Sequence, residues 1–226
     1  MPKAVQIKSM FNNISGSYDL LNDMLSLGIH RLWKKKLVRH MTKGHPQRVL
    51  DCATGTGDIA LSIKKQLPSA EVYGVDFSAN MLKVAEDKSK AIHWSVQDVM
   101  QMPFEDKDFD HTCISYGIRN VEDYRLALKE MARVTKSKIC ILEFGQPQNF
   151  FLRGIYFGIM NYFIPFIGKL FNKEEAYKYL IDSSKSFPCA YEFTQIIKES
   201  TGFDKAYYIP LFGGVTYLYI AENYEN

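Results

Sequence analysis

The sequence predicts an α/β fold, a mostly parallel sheet with helices on both faces. Three observations lead there. From residue 48 onward, short apolar runs alternate with segments of helical periodicity. The polar residues Asp51, Asp76, Asp98 and Ser115 fall where those runs end. The first run, Val49-Leu50, passes directly into Asp-Cys-Ala-Thr-Gly-Thr-Gly-Asp, residues 51–58. A strand that ends in a carboxylate and turns through two glycines into a helix brings backbone close to a nucleoside-bearing ligand. Gly55 and Gly57 permit φ > 0 in that turn, and an ordinary tight turn is the plainer alternative.

A chain of 226 residues is long enough for one domain, read here as 1–226, with a helical N-terminal arm over 1–46 and an insertion over 147–186. The net charge of +3 is too small to argue for nucleic acid. Cys52, Cys113, Cys140 and Cys189 are scattered, without metal-ligand spacing, so buried free thiols and no metal are expected. Residues 1–10 lack the apolar core of a secretory signal, which favours a cytoplasmic protein.

In chain order, residues 29–41 place Ile29, Leu32, Trp33, Leu37, Val38 and Met41 at helical spacing, with Arg31, Lys34, Lys35 and Arg39 pointing elsewhere. Such a helix packs on a core with a solvated charged face, or lies on anionic lipid. Strands follow at 48–52, 71–76, 92–96, 109–115 and 138–143, and helices at 58–66, after Ser78 as a cap, and at 123–134. A further helix over 192–199 precedes two strands, 205–210 and 215–221, linked around Gly213-Gly214. A hairpin there makes at least one of them antiparallel.

The cradle leaves two cofactors open. Gly55-x-Gly57-x-x-Ala60 with Asp76 about 20 residues on satisfies a dinucleotide fingerprint and hence an NAD-dependent oxidoreductase. Asp51 beside the turn instead suits a cationic group, such as the amino group of S-adenosylmethionine, and opposes a pyrophosphate. Asp76 can accept both hydroxyls of a ribose. Met81 and Val99 suit the two faces of an adenine, and Asp98 its amino group.

From 146 to 186 the rhythm breaks into an intensely aromatic stretch. Its uncharged part, 154–168, contains Pro165 and is too short to span a bilayer, which takes about 20 residues. It reads as a buried helical hairpin or as an apolar lid that touches the membrane surface.

The segment Tyr18-Asp19-Leu-Leu-Asn22, followed by Ser26, His30 and Trp33, resembles the signature of the ubiquinone/menaquinone biosynthesis C-methyltransferases. Met10-Phe11, Met102-Pro103-Phe104 and Gly117-Ile118-Arg119-Asn120 are similar to that family too, and the likeness covers nearly the whole chain. One departure stands out, since Thr135-Lys136-Ser137-Lys138 replaces the family's Pro-Gly-Gly turn. The resemblance implies a Rossmann-like class I methyltransferase with seven strands, the last antiparallel. It also implies S-adenosylmethionine as cofactor, bound by Thr56, Asp76, Asp98, Val99 and Ser115, to which the reading of the cradle adds Asp51, Gly55, Gly57 and Met81, and a prenylated quinol as substrate.

Methylating a hydroquinone carbon requires a ring hydroxyl, with a pKa of about 10, to lose its proton. A fixed cation lowers that pKa, and Arg119 is the expected one. His30, Asp19 or a water takes the proton, while Tyr18, Asn22 and Asn120 position the quinol. Demethylmenaquinol is the expected acceptor; 2-methoxy-6-polyprenyl-1,4-benzoquinol or dual specificity is the alternative. A protein that binds S-adenosylmethionine at a lipid surface without turnover is a rival of another class. No nucleic-acid partner is expected, transient contact with the inner membrane surface is, and the chain is compatible with a homodimer.

Overall fold

Parallel strands bury both faces and leave ligand-binding groups only at their ends, and this chain is built on that constraint. The computed structural model describes residues 28–159, 161 and 174–224, together with Asp23 and Ser26. Helix α1 (His30–Met41) leads into strand β1 (Arg48–Cys52), followed by α2 (Asp58–Gln66), β2 (Glu71–Asp76), α3 (Ala79–Lys88), β3 (His93–Val96) and β4 (Phe109–Ser115). After a 3₁₀ turn at Ile118–Asn120 come α4 (Tyr124–Val134) and β5 (Thr135–Phe144). The remainder is α5 (Phe150–Gly158), α6 (Glu174–Ser186), α7 (Tyr191–Thr201), β6 (Lys205–Leu211), a second 3₁₀ turn at Phe212–Gly214 and β7 (Thr216–Glu222).

The seven strands form one sheet in the order β3-β2-β1-β4-β5-β7-β6. The neighbours from β3 to β5 are parallel, and β7 runs antiparallel to both β5 and β6. This is the expected closing hairpin, with the last strand reversed. It also differs from the all-parallel dinucleotide order, in which a sixth parallel strand lies directly beside the fifth.

Successive residues of a strand face opposite sides, so Val49 and Leu50 enter different cores. One core joins Leu50 to Leu128 and Met131 of α4 and Phe193 of α7. The other joins Val49 to Trp33, Leu37 and Met41 of α1 and to Ile59 and Ile63 of α2. Helix α1 therefore packs on the sheet, the first of the two roles its sequence allowed.

The missing Pro-Gly-Gly turn has a structural counterpart. Helix α4 ends at Val134 and β5 begins at the next residue, three earlier than expected. Thr135 makes the change of direction: its hydroxyl donates to the Met131 carbonyl and lies 2.8 Å from the Thr112 hydroxyl across the sheet. Lys136 pairs with Asp110 at 3.0 Å. A side chain thus stands in for the glycine turn.

The aromatic stretch is helical over α5, capped by the Asn149 side chain, which accepts the amides of Phe151 and Leu152. Among the described residues no helix is long and apolar enough to cross a membrane. Helix α6 was not anticipated as a separate element, because its polar sequence follows the aromatic run without a turn signal.

Candidate active site

The glycine turn is set from beneath. Asp51 is 1% exposed, and its Oδ2 accepts both the Thr54 hydroxyl at 2.5 Å and the Ala60 amide at 3.2 Å. Its other oxygen lies 3.5 Å from the Cys113 thiol. Burial raises the Asp51 pKa to about 6, against those hydrogen bonds. Gly55 and Gly57 have φ of 57° and 86°, and a Cβ on Gly57 would lie 2.7 Å from the Trp94 ring. Trp94 also fills the space beside Gly74, so the turn rests on an aromatic floor. Two residues other than glycine, Ala53 and Tyr116, hold positive φ of 47° and 55° at the ends of β1 and β4. Strained conformations of this kind persist where surrounding structure fixes them, commonly at ligand sites.

Above the turn opens a cavity of about 810 Å³, counted to its open mouth. Gly55, Asp76, Met81, Asp98, Val99, Ser115 and Asn120 line it; the sequence had assigned the first six to the cofactor and Asn120 to the quinol. Asp51, Thr56 and Gly57 do not belong to its lining. Asp51 Oδ2 is engaged by Thr54 and Ala60 and its Oδ1 faces the Cys113 thiol, so the side chain is oriented into the turn and holds the loop. Thr56 is buried, and its carbonyl accepts Lys88 Nζ at 3.0 Å.

The lining fits the nucleoside of S-adenosylmethionine. Asp76 is 5% exposed; one oxygen accepts the Gly55 amide at 2.8 Å and the other the Ser78 amide at 2.9 Å. Each oxygen keeps a lone pair for a ribose hydroxyl. Burial pushes the Asp76 pKa up while the two amides pull it down. Ser115 Oγ is buried without a hydrogen-bond partner, and an orphaned hydroxyl in a cavity wall calls for a ligand that supplies one.

Next to the cavity lies a second polar centre. Arg119 pairs with Glu143 at 2.6 Å, and the two side chains are 7% and 0% exposed. The same nitrogen, Nη1, donates to the Tyr116 carbonyl, and the guanidinium lies over the Phe144 ring. Burial raises the Glu143 carboxyl and the Arg119 charge opposes the rise. Asn120 joins the two centres, since it lines the cavity and its Nδ2 donates to the same Tyr116 carbonyl that accepts Arg119 Nη1; its Oδ1 accepts the Tyr179 hydroxyl at 2.9 Å. Glu143 and Tyr179 were not anticipated as site residues. Glu143 had a signal, a carboxylate ending the apolar run Ile139-Cys140-Ile141-Leu142; Tyr179 had none, being placed by tertiary packing.

His30 is buried, its Nδ1 is 2.7 Å from Ser26 Oγ and its Nε2 is 3.7 Å from Asp23. Burial and Lys34 lower its pKa, so the ring is neutral at pH 7. It is not part of the cavity lining. Tyr18, Asp19 and Asn22 lie outside the described residues. Among the described residues no cluster of metal-binding side chains is present.

A model of the ubiE/COQ5 methyltransferase family matches residues 2–223. The chain belongs to the ubiE/COQ5 methyltransferase family. Within this family, the ubiquinone/menaquinone biosynthesis C-methyltransferase UbiE of Bdellovibrio bacteriovorus is 43% identical over 225 residues, 96% of each chain. The demethylmenaquinone methyltransferase of Porphyromonas gingivalis is 36% identical over 217 residues, 92% of this chain and 88% of that one. Among solved structures, a SAM-dependent methyltransferase of Thermotoga maritima described as a possible histamine N-methyltransferase matches with a TM-score of 0.67 at 15% identity. That match spans 96% of this chain and 100% of the other, a likeness of fold.

The Asp51 geometry makes a stability prediction. A carboxyl whose folded pKa lies above its unfolded value binds more protons when folded, so its contribution is full below about 4 and lost as pH rises through about 6. Relative to Asp51→Asn, the unaltered protein should lose roughly 3 kcal/mol across that window, since a tenfold change in proton affinity is worth about 1.4 kcal/mol. Urea unfolding of both proteins at several pH values measures the difference; a pH-independent difference would contradict the assignment.

Proposed function

We propose that the protein is an S-adenosylmethionine-dependent C-methyltransferase of quinone biosynthesis, with demethylmenaquinol as its preferred acceptor. The observation that carries this reading is the joining, through the Tyr116 carbonyl that Asn120 and Arg119 share, of a cavity lined by Asp76, Met81, Val99 and Ser115 to a buried Arg119–Glu143 pair, in a chain of the ubiE/COQ5 family. Methylation of 2-methoxy-6-polyprenyl-1,4-benzoquinol, or of both acceptors, is the second reading; the family description covers each.

Asp76 takes the ribose hydroxyls, Met81 and Val99 hold the adenine between them, and Asp98 accepts its amino group. S-adenosylmethionine, when bound, supplies an electrophilic methyl group, and the electron pair of its S–CH₃ bond stays on sulfur. Arg119 holds a positive charge beside the acceptor oxygen and favours the phenolate, which raises electron density at the ring carbon. Glu143 fixes the guanidinium by its 2.6 Å contact, so little reorganisation is needed when negative charge develops. Tyr18, Asn22 and Asn120 position the quinol, and Asp19, His30 or a water accepts the proton. One C–CH₃ bond forms and one proton leaves.

A second part of the proposal concerns the bilayer that holds such a substrate. Helix α5 exposes Phe150, Phe151 and Ile155 by 83%, 79% and 63%, with Arg153 also exposed. Large apolar side chains grouped on one exposed helix beside a cation suit an anionic lipid surface.

Methyl transfer from labelled S-adenosylmethionine should be detected with a short-tailed demethylnaphthoquinol and be weaker with a methoxybenzoquinol. Preference for the benzoquinol would reverse the substrate order, and no transfer to either would refute the activity. Arg119→Ala should strand Glu143 and cost on the order of 3–5 kcal/mol of stability. Adding Glu143→Gln should restore stability and cofactor binding by calorimetry while turnover stays at least about tenfold down; full turnover would remove Arg119 from the chemistry. The protein should co-sediment with vesicles containing anionic phospholipid, and Phe150→Ser with Phe151→Ser should cut the bound fraction severalfold. Equal binding by both forms would argue against α5 as the contact.

A further inference from the structure

The 3₁₀ turn after β4 is anchored along its backbone. Gly117 sits so close to the end of β1 that a Cβ there would lie 2.8 Å from the Ala53 Cβ, and the Asn120 amide nitrogen donates to the Gly117 carbonyl at 3.0 Å. What the backbone leaves open is the Asn120 side chain, which lines the cavity. The last torsion of an asparagine is broad, so backbone order alone does not decide which end of the side-chain amide faces a ligand.

Two partners decide it. The Tyr116 carbonyl can only accept, and it takes Asn120 Nδ2 at 3.2 Å on the same oxygen that takes Arg119 Nη1 at 2.8 Å. The side-chain oxygen is thereby turned the other way, toward Tyr179 of α6, whose hydroxyl donates to Oδ1 at 2.9 Å. Burial raises the pKa of this phenol and the Arg119 charge opposes the rise, so at neutral pH it keeps the proton it donates. Helix α6 packs against the 3₁₀ turn, and Tyr179 reaches Asn120 across 59 residues of chain. These bonds use one N–H and one lone pair of the amide and leave its second N–H for a ligand. An oxygen that accepts this N–H is held beside the Arg119 charge, because Asn120 and Arg119 share one carbonyl.

We propose that Tyr179 is a positioning residue for the acceptor: it fixes the Asn120 amide from the insertion, so that the second N–H is presented to a ring oxygen of the quinol and that oxygen is kept near Arg119. This role rests on the quinol methyltransferase reading. Neither Tyr179 nor Asn120 gives up a proton. The insertion then serves the acceptor twice, through the apolar outer face of α5 and through one hydroxyl of α6.

The test is Tyr179→Phe, which keeps the ring and removes only the donor. Tyr179 is half-buried and outside the cavity lining, so thermal stability and S-adenosylmethionine binding by calorimetry should be unchanged. Turnover of a demethylnaphthoquinol should fall about fivefold to tenfold, since a loosely oriented acceptor reaches the reactive geometry less often. The same substitution in an Asn120→Ala background should cost less than about twofold, because a residue that acts through Asn120 then has nothing left to position. Equal losses in the two backgrounds would assign Tyr179 to packing and overturn the inference. Unchanged turnover in the single variant, or loss of stability or cofactor binding in step with turnover, would overturn it too. A further readout needs no turnover: the side-chain amide protons of Asn120, recognised in the NMR spectrum by their loss in Asn120→Ala, should exchange with water faster in Tyr179→Phe. Unaltered exchange would show that Tyr179 does not hold the amide. If exchange responds as expected but the unaltered protein methylates no quinol, the functional reading has failed and the acceptor role falls with it.

Discussion

The buried carboxylate of Asp51 bears on the site more than its place at the end of one strand suggests. It stands at the carboxyl end of β1, flanked by Gly74 of β2 and Cys113 of β4, where it is almost fully buried. There it accepts the Thr54 hydroxyl and the Ala60 amide, one from the turn and one from the first turn of α2. Those bonds tie strand, turn and helix together before any ligand arrives. Trp94 closes the space beneath, and residues that are not glycine hold positive φ at Ala53 and Tyr116. A loop already in its binding conformation spares the ordering entropy of association.

The electrostatics divide along the same lines. In the cavity wall the polar groups include Asp76, Asp98 and the unpartnered Ser115 hydroxyl, acidic or neutral. Beside it the Arg119 cation is matched by Glu143, with both side chains almost wholly buried. A buried pair of this kind is weak grounds for stability, because desolvation offsets most of the attraction. Its value here is orientation. The pair fixes a guanidinium whose Nε is buried without a partner.

Much of this was legible in the sequence. Strand β1, helix α2 and strand β4 fall at the expected residues, because apolar runs bounded by Gly, Pro or charge have few alternatives once a sheet is assumed. Asp76, Ser115, Met81, Asp98 and Val99 line the cavity as expected, since every parallel strand delivers its last residues to the same edge. The start of β5 was misplaced by three residues because the contact of Thr135 with Thr112 is made across the sheet and leaves no local trace.

What the sequence determined by itself is thus the order of elements, the sheet they form and the edge at which a ligand sits, all consequences of periodicity and of glycine's freedom at φ > 0. Tertiary structure decided which way the charged groups at that edge face. Asp51 was read as touching the ligand and is oriented into the turn, because its partners Thr54 and Ala60 surround it only after β1 and α2 have packed. Arg119 was read as a fixed cation with no partner named, and it is held by Glu143, 24 residues away in the chain, because β4 and β5 lie side by side. Side-chain direction and pairing depend on contacts between distant segments, and those exist only once the sheet has closed.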